Sequence, residues 1–173
     1  MSVLKFAKIR DVHDPVRGTG KSAGIDLYCP KFTEDFIKVF NARNTNAQSM
    51  AMYNMAHNNI LVRPHGQVWI PSGLMVNFLD LEDSALIGFN KSGVSWDNRL
   101  DLLAAIVDAD YQGEIFLSMV NYSDYPTTII QGQKLTQVVR VPVFYDDIEM
   151  VSPDQLHPTV TERGAGAMGS TGK

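Results

Sequence analysis

The longest unbroken apolar run in the chain, Leu102 to Val107, is only six residues long. A membrane-spanning helix needs about 20 such residues, so none is encoded here. The other apolar runs are as short, and each meets a breaker. Gln67 to Ile70 ends at Pro71-Ser72-Gly73, Leu74 to Leu79 gives way to the polar Asp80 to Ser84, and Ala85 to Phe89 meets the turn-like Asn90 to Gly93. Ile115 to Val120 stops at residues 121–126, Thr127 to Ile130 stops at Gln131-Gly132, and Leu135 to Val143 is rich in valine. Strand-length runs separated by turn formers predict an all-β barrel or sandwich rather than alternating βα units. The length of 173 residues suits one domain with a sizeable core of its own.

Charge and cysteine content narrow the classes of partner. A formal net charge of -4 and a pI near 5.5 argue against binding a nucleic-acid polymer. The single cysteine, Cys29, excludes an intrachain disulfide and a Cys-rich zinc module. His13, His57, His65 and His157 show no close ligand spacing. The N-terminus lacks the apolar segment of a signal peptide, and the expectation is a cytoplasmic protein with no membrane role.

Two segments break the strand rhythm. Residues 33–62 contain neither Gly nor Pro, and Phe36, Val39 and Phe40 fall at i, i+3, i+4, the spacing of a helical face. Residues 41–59 are rich in Asn and Met. The expectation for about 34–60 is a helical or irregular insertion packed on the outside of the β domain, or else an arm that binds a protein partner. The second segment is the end of the chain, where 4 of the 13 glycines lie in residues 164–173. Such a stretch buries little apolar area and is expected to be flexible.

Several stretches carry groups suited to chemistry. Asp108-Ala109-Asp110-Tyr111-Gln112-Gly113-Glu114 follows the six-residue apolar run directly. On an extended chain the carboxylates at i, i+2 share a side, and one at a strand end can act as a general base. The same residues also suit an acidic turn. Asp26, within Ala23 to Tyr28, could hold a hydrated magnesium ion or serve as a turn residue. Asn90 to Ser95 offers an ammonium group, two hydroxyls and backbone N–H groups suited to phosphate oxygens, or an ordinary polar turn. The tail adds Arg163, Ser170, Thr171 and Lys173, but its order fails the P-loop pattern and no helix follows it.

The order of these stretches resembles the five motifs of the trimeric dUTP pyrophosphatases (dUTPases), from about residue 20 to the end. Ala23 to Tyr28 is similar to motif one and Lys91-Ser92-Gly93 to motif two. Residues 106–114 closely match motif three, Gly132-Gln133-Lys134-Leu135-Thr136-Gln137 resembles motif four, and residues 163–172 resemble motif five. The resemblance implies a jelly-roll-like β subunit spanning residues 1–162, with a C-terminal arm, 163–173, that closes the active site. It implies a homotrimer with shared sites: motifs one, two and four from one subunit, motif three from a second, and the tail from a third. The implied reaction is magnesium-dependent hydrolysis of dUTP to dUMP and pyrophosphate.

By motif position, Asp108 would deprotonate the water that attacks the α-phosphorus, and Asp26 would hold Mg2+ through water. Lys91, Ser92, Gly93 and Gln137 would meet phosphate oxygens, with Arg163, Gly169, Ser170 and Thr171 clamping them from the tail. Tyr111 would pack under the deoxyribose, where a 2′-hydroxyl would clash, and Met168 would lie over the base. Backbone groups of the motif-three hairpin would read uracil. Three features depart from the motifs. Lys91 stands where arginine is usual and lacks its bidentate fork. Met168 stands where an aromatic residue is usual, which implies a looser closure. The 34–60 insertion is absent from shorter members; if it is a partner-binding arm, its deletion is expected to spare hydrolysis and abolish partner capture.

A dCTP deaminase of the same fold is the nearest alternative. Its acid–base glutamate would fall at Ser118, whose hydroxyl cannot replace a carboxylate at neutral pH. A dUTPase-like regulatory protein that captures a partner through the insertion is the other.

Overall fold

A computed structural model describes residues 3–45, 49–79, 81–157, 159, 161 and 164. Twelve strands and three short helices follow one another in these residues. They are β1 (Lys5–Lys8), β2 (Ile25–Tyr28), α1 (Glu34–Arg43), β3 (Ala51–Asn54), β4 (Asn59–Val62), β5 (Gln67–Pro71), β6 (Leu74–Asn77) and β7 (Ser84–Asn90). Then come α2 (Ser92–Asp97), β8 (Leu100–Leu102), β9 (Ile106–Val107), β10 (Phe116–Asn121), β11 (Thr127–Ile129), β12 (Lys134–Pro142) and α3 (Pro153–Leu156). The strands form four sheets, ordered β1-β6, β5-β10-β8, β11-β4-β3 and β2-β12-β7-β9, and every pairing between these strands is antiparallel. The architecture is a jelly-roll-like sandwich, as the punctuated apolar runs imply. Among the described residues no helix is long and apolar enough to cross a membrane.

One core fills the interior. Leu27, Ile60, Ile70, Leu74, Leu86, Met119, Ile129 and Leu135 are fully buried and come from eight different strands. Period-two burial is clear in β4 and β5, where alternate residues turn inward. β7 differs: it starts buried at Ser84, Ala85 and Leu86 and emerges to an exposed Phe89 and Asn90. The strand therefore delivers the start of α2 to the surface.

Helix α1 packs on the β domain through one face and leaves Glu34, Asp35, Lys38 and residues 41–43 exposed, but that one face reaches deep. The Thr33 hydroxyl caps α1 by accepting the Phe36 N–H at 3.2 Å, and Glu34 and Asp35 occupy the first turn. Phe36 and Phe40 are buried in the main core with rings stacked 6.0 Å apart. Each is worth about 1.5–3 kcal/mol on burial, so deleting the segment strips the core instead of trimming a surface arm. At the end of α1, the Asn44 amide donates to the Trp69 carbonyl at 2.9 Å and accepts the Trp69 N–H at 2.9 Å, imitating a strand partner for β5. The stretch read as helical or irregular continues as the hairpin β3–β4. Asn58, at φ 47°, turns it, since a short polar side chain tolerates the left-handed region.

Candidate functional site

Motifs one, two and four meet at one end of the β2-β12-β7 sheet. Asp26 on β2 lies opposite Gln137 on β12, and Gln137 lies opposite Phe89 on β7. The Asp26 carboxylate is buried, with Lys91 Nζ at 2.6 Å from one oxygen and Lys134 Nζ at 2.9 Å from the other. Burial pushes the Asp26 carboxyl up, but the two ammonium groups outweigh it and hold the pKa below the usual carboxylate value. Its hydrogen bond to Asp26 pushes Lys134 up in turn. Lys134 also sits 5.7 Å from the centre of the Tyr28 ring.

A bulge makes this grouping possible. Lys134 and Gln137 are three apart and would face opposite sides of a regular strand. The β12 register shifts between Lys134, opposite Tyr28, and Thr136, opposite Leu27, so Leu135 and Thr136 are both buried. Lys134 and Gln137 thereby reach the same face as Asp26. Gly24 completes the floor: a Cβ there would fall 2.0 Å from Gln137 Oε1 and 2.9 Å from its Cβ. The Gln137 side chain lies across this glycine and donates from Nε2 to the Asn90 carbonyl at 3.0 Å.

Motif two begins where β7 surfaces. Lys91 occupies the N-cap position of α2, and Ser92 and Gly93 are exposed in its first turn. Of the two hydroxyls in this stretch, that of Ser95 is committed to Asp101 at 2.9 Å. Asn90 is a hub that the motif reading missed. Its amide donates to Asp101 at 2.8 Å and accepts the Leu102 N–H at 2.7 Å, tying β8 to the head of α2. Lys134 was likewise within a quoted motif but unassigned, because only the bulge turns it toward Asp26.

Motif three takes the second of its two expected shapes, an acidic turn between strands. The six-residue apolar run divides: β8 pairs with β10, β9 pairs with β7, and residues 103–105 cross between the two sheets without forming a β8–β9 hairpin. The Leu103 N–H is used by the Ser118 carbonyl at 2.8 Å, and Ala105 accepts the Gly88 N–H at 2.6 Å. Asp108 and Asp110 are not on extended chain; the Tyr111 N–H donates to the Asp108 carbonyl at 3.2 Å, closing a turn. Both carboxylates are exposed. The Tyr111 ring lies over Gly113, where a Cβ would fall 2.6 Å from Cζ, and its hydroxyl donates to the Glu114 carbonyl at 2.8 Å. Asp108 and Tyr111 border a cleft of about 310 Å³ lined by Leu102, Ala105, Ile106 and Phe116. Ser118 is buried in β10.

Asp108 of motif three stands apart from Lys91 of motif two along β7, although Thr136 of motif four lines the same cleft as Asp108 and Tyr111. Val107 pairs with Leu86, four residues before Asn90. Those four residues span roughly 13 Å at about 3.3 Å each, and Asp108 continues past Val107 away from Asn90. Arg163, Met168, Gly169, Ser170 and Thr171 lie outside the described residues. Among the described residues no three His, Cys, Asp or Glu side chains cluster as metal ligands. The one acidic group among the phosphate-type residues is Asp26, enough only for an ion that takes most of its ligands from water and substrate.

The Asp26–Lys91–Lys134 cluster can be tested without substrate. Because the folded pKa of Asp26 is depressed, its stabilisation is present above the unfolded value, about 3.9, and is lost as pH falls through the folded value. Asp26→Asn is expected to flatten the acid limb of stability against pH, measured by urea unfolding from about pH 2 to pH 7. An unchanged limb would show that the cluster does not hold in solution.

A family model described as dUTPase matches residues 40–172. The deoxyuridine 5′-triphosphate nucleotidohydrolase of Actinobacillus pleuropneumoniae serotype 3 is 34% identical over 116 residues, covering 66% of this chain and 74% of that protein. The Ectopseudomonas mendocina nucleotidohydrolase of the same name is 35% identical over 120 residues, covering 68% and 76%. The dUTPase of Staphylococcus bacteriophage 80alpha, solved with dUPNHPP, superposes with a TM-score of 0.73 at 18% identity, over 100% of both chains. The dUTPase from phage phi11 of S. aureus gives a TM-score of 0.64 at 16% identity over 86% of this chain and 96% of that one. The fold, the order of the motifs and the family match agree: this chain belongs to the dUTPase family.

Proposed function

We propose that the protein hydrolyses dUTP to dUMP and pyrophosphate at sites shared between the copies of a homotrimer. The observation that carries the sharing is the separation along β7: Lys91 follows its exposed end, whereas Asp108 lies beyond its buried half. A second copy can bring its own Asp108 and Tyr111 to the Asp26–Lys91–Gln137 face. Exposed apolar side chains support assembly, with Phe144, Ile148 and Met150 all outside the core after β12 ends.

The residues divide the work as follows. Lys91, Ser92, Gly93 and Gln137 bind and orient the triphosphate. Asp108 takes a proton from water as the water oxygen bonds to the α-phosphorus. The bond from that phosphorus to the bridging oxygen breaks, and pyrophosphate leaves with the electron pair. A magnesium ion bound to the triphosphate would supply charge neutralisation, held by Asp26 through water. In the free chain two lysines already occupy Asp26; phosphate oxygens are alternative partners for both, and their transfer frees the carboxylate for that water. Tyr111 packs under the deoxyribose, and the apolar cleft beside residues 103–105 takes the uracil. Arg163, Ser170, Thr171 and Gly169 close over the phosphates, with Met168 over the base.

The activity is tested by pyrophosphate release from dUTP, dCTP, dTTP and UTP in parallel, with and without magnesium. Release from dUTP alone, dependent on magnesium, is expected. Ammonia release from dCTP would favour the deaminase, a reaction for which buried Ser118 offers no carboxylate. Interaction of a protein partner with residues 34–60 is compatible with this reading, although α1 cannot be removed without opening the core.

A further inference from the structure

A second buried ion pair, away from the Asp26 cluster in sequence, ends the motif-three turn at Glu114. Arg10, just after β1, presents its planar fork to Glu114: Nε donates to Oε1 at 2.9 Å and Nη2 to Oε2 at 3.0 Å. Both side chains are less than a tenth exposed. Glu114 Oε1 also accepts the Gly73 N–H at 2.8 Å, and the third arm of Arg10 reaches Asp35 in the first turn of α1. The fork is thus gripped from both sides. The carbonyl of the same Glu114 receives the Tyr111 hydroxyl at 2.8 Å.

Stability alone is a poor reason for this pair. Taking two charges out of water costs several kcal/mol each, and apolar residues of similar volume are often as stable or more so. What a bidentate pair adds is geometry, and its output here is the position of the Glu114 backbone that anchors the Tyr111 ring.

We propose that Arg10 and Glu114 are positioning residues that fix the Tyr111 ring through its hydroxyl, and so set the discrimination between deoxyribose and ribose. This rests on Tyr111 being the sugar platform. A platform held rigidly leaves no room for a 2′-hydroxyl; one that can tilt admits it while still supporting deoxyribose. Loosening the tether therefore raises acceptance of UTP more than it harms dUTP. The effect falls on KM, because Asp108 sits at the opposite end of the turn.

The test is the ratio of kcat/KM for dUTP to that for UTP. Arg10→Lys keeps the charge and loses the fork, and Glu114→Gln keeps the shape and loses the charge. Each is expected to lower the ratio about tenfold, with kcat for dUTP little changed. Tyr111→Phe cuts the same tether at its other end, so adding it to Arg10→Lys should lower the ratio no further than the more affected single variant. An unchanged ratio in folded Arg10→Lys and Glu114→Gln proteins overturns the proposal, as do single effects that multiply in the double variant. Tyr111→Ala separates the two ideas. If it leaves the ratio intact, the sugar platform itself is wrong; if it collapses the ratio while the Arg10 and Glu114 variants do not, only the tether is wrong.

Discussion

Asp108→Asn is expected to lower kcat for dUTP by about 10²–10⁴-fold while leaving the fold and nucleotide binding in place. The reason lies in what the side chain does and does not touch. Asp108 is exposed at the head of a turn, and among the described residues its carboxylate has no hydrogen-bond or ion-pair partner. The turn is closed by its backbone carbonyl, which the substitution keeps. A surface change of this kind alters stability by about 0.5 kcal/mol or less. The amide has the shape of the carboxylate but cannot accept the proton of the attacking water. Pyrophosphate release gives kcat, and calorimetry with a non-hydrolysable dUTP analogue gives affinity. An Asn variant with full kcat would remove Asp108 from the chemistry. One that lost binding and kcat together would make it a structural or binding group.

The strands that supply the frame were legible because their signals are local. Gln67 to Ile70, Ala85 to Phe89 and Leu135 to Val143 carry period-two or β-branched runs with breakers at their ends, and they form β5, β7 and β12 within a residue or two. The helical face of Phe36, Val39 and Phe40 was legible for the same reason, but its destination was not. A three-residue apolar stripe states which side is buried and says nothing of how deep. β3 and β4 were hidden by composition. Asn58, which reads as loop material, is the residue that lets a tight hairpin form between them.

The candidate site was legible as order and not as geometry. Motif order identified Asp26, Lys91, Gln137 and Asp108, yet three decisive features are non-local. The bulge in β12 aligns Lys134 with Gln137, and a strand pattern read at strict period two places them on opposite faces. Asn90 and Asp101 join motif two to β8 across eleven residues, with no sequence signature beyond two common polar residues. Arg10 and Glu114 are 104 positions apart, so only the folded chain makes them partners. Motif three also shows a limit of spacing arguments. An i, i+2 acidic pair is compatible with a strand or a turn, and the hydrogen bond from Tyr111 N–H to Asp108 decided for the turn.

Two inactive variants mixed in the proposed homotrimer are expected to regain activity. Lys91→Ala/Ser92→Ala damages the phosphate face, and Asp108→Asn removes the base; each homotrimer alone is then nearly inactive. If one copy supplies the phosphate face and its neighbour supplies Asp108, each mixed ring has one site built from two undamaged halves. Random assembly from equal amounts makes about three-quarters of the trimers mixed, and one site in three is intact in each of those. About a quarter of wild-type activity should therefore appear from two preparations that have almost none. Differently tagged chains purified through both tags would establish that exchange occurred. The separation along β7 is what makes the outcome decisive, since the four residue steps from Leu86 to Asn90 hold Lys91 and Asp108 apart within one chain. Mixed trimers that stayed at the parental level would require the chain to bend motif three back to its own Lys91. That would break the pairing of Val107 with Leu86 and of Ile106 with Ile87, and the exposed end of β7 would then have to serve a site closed within a single subunit.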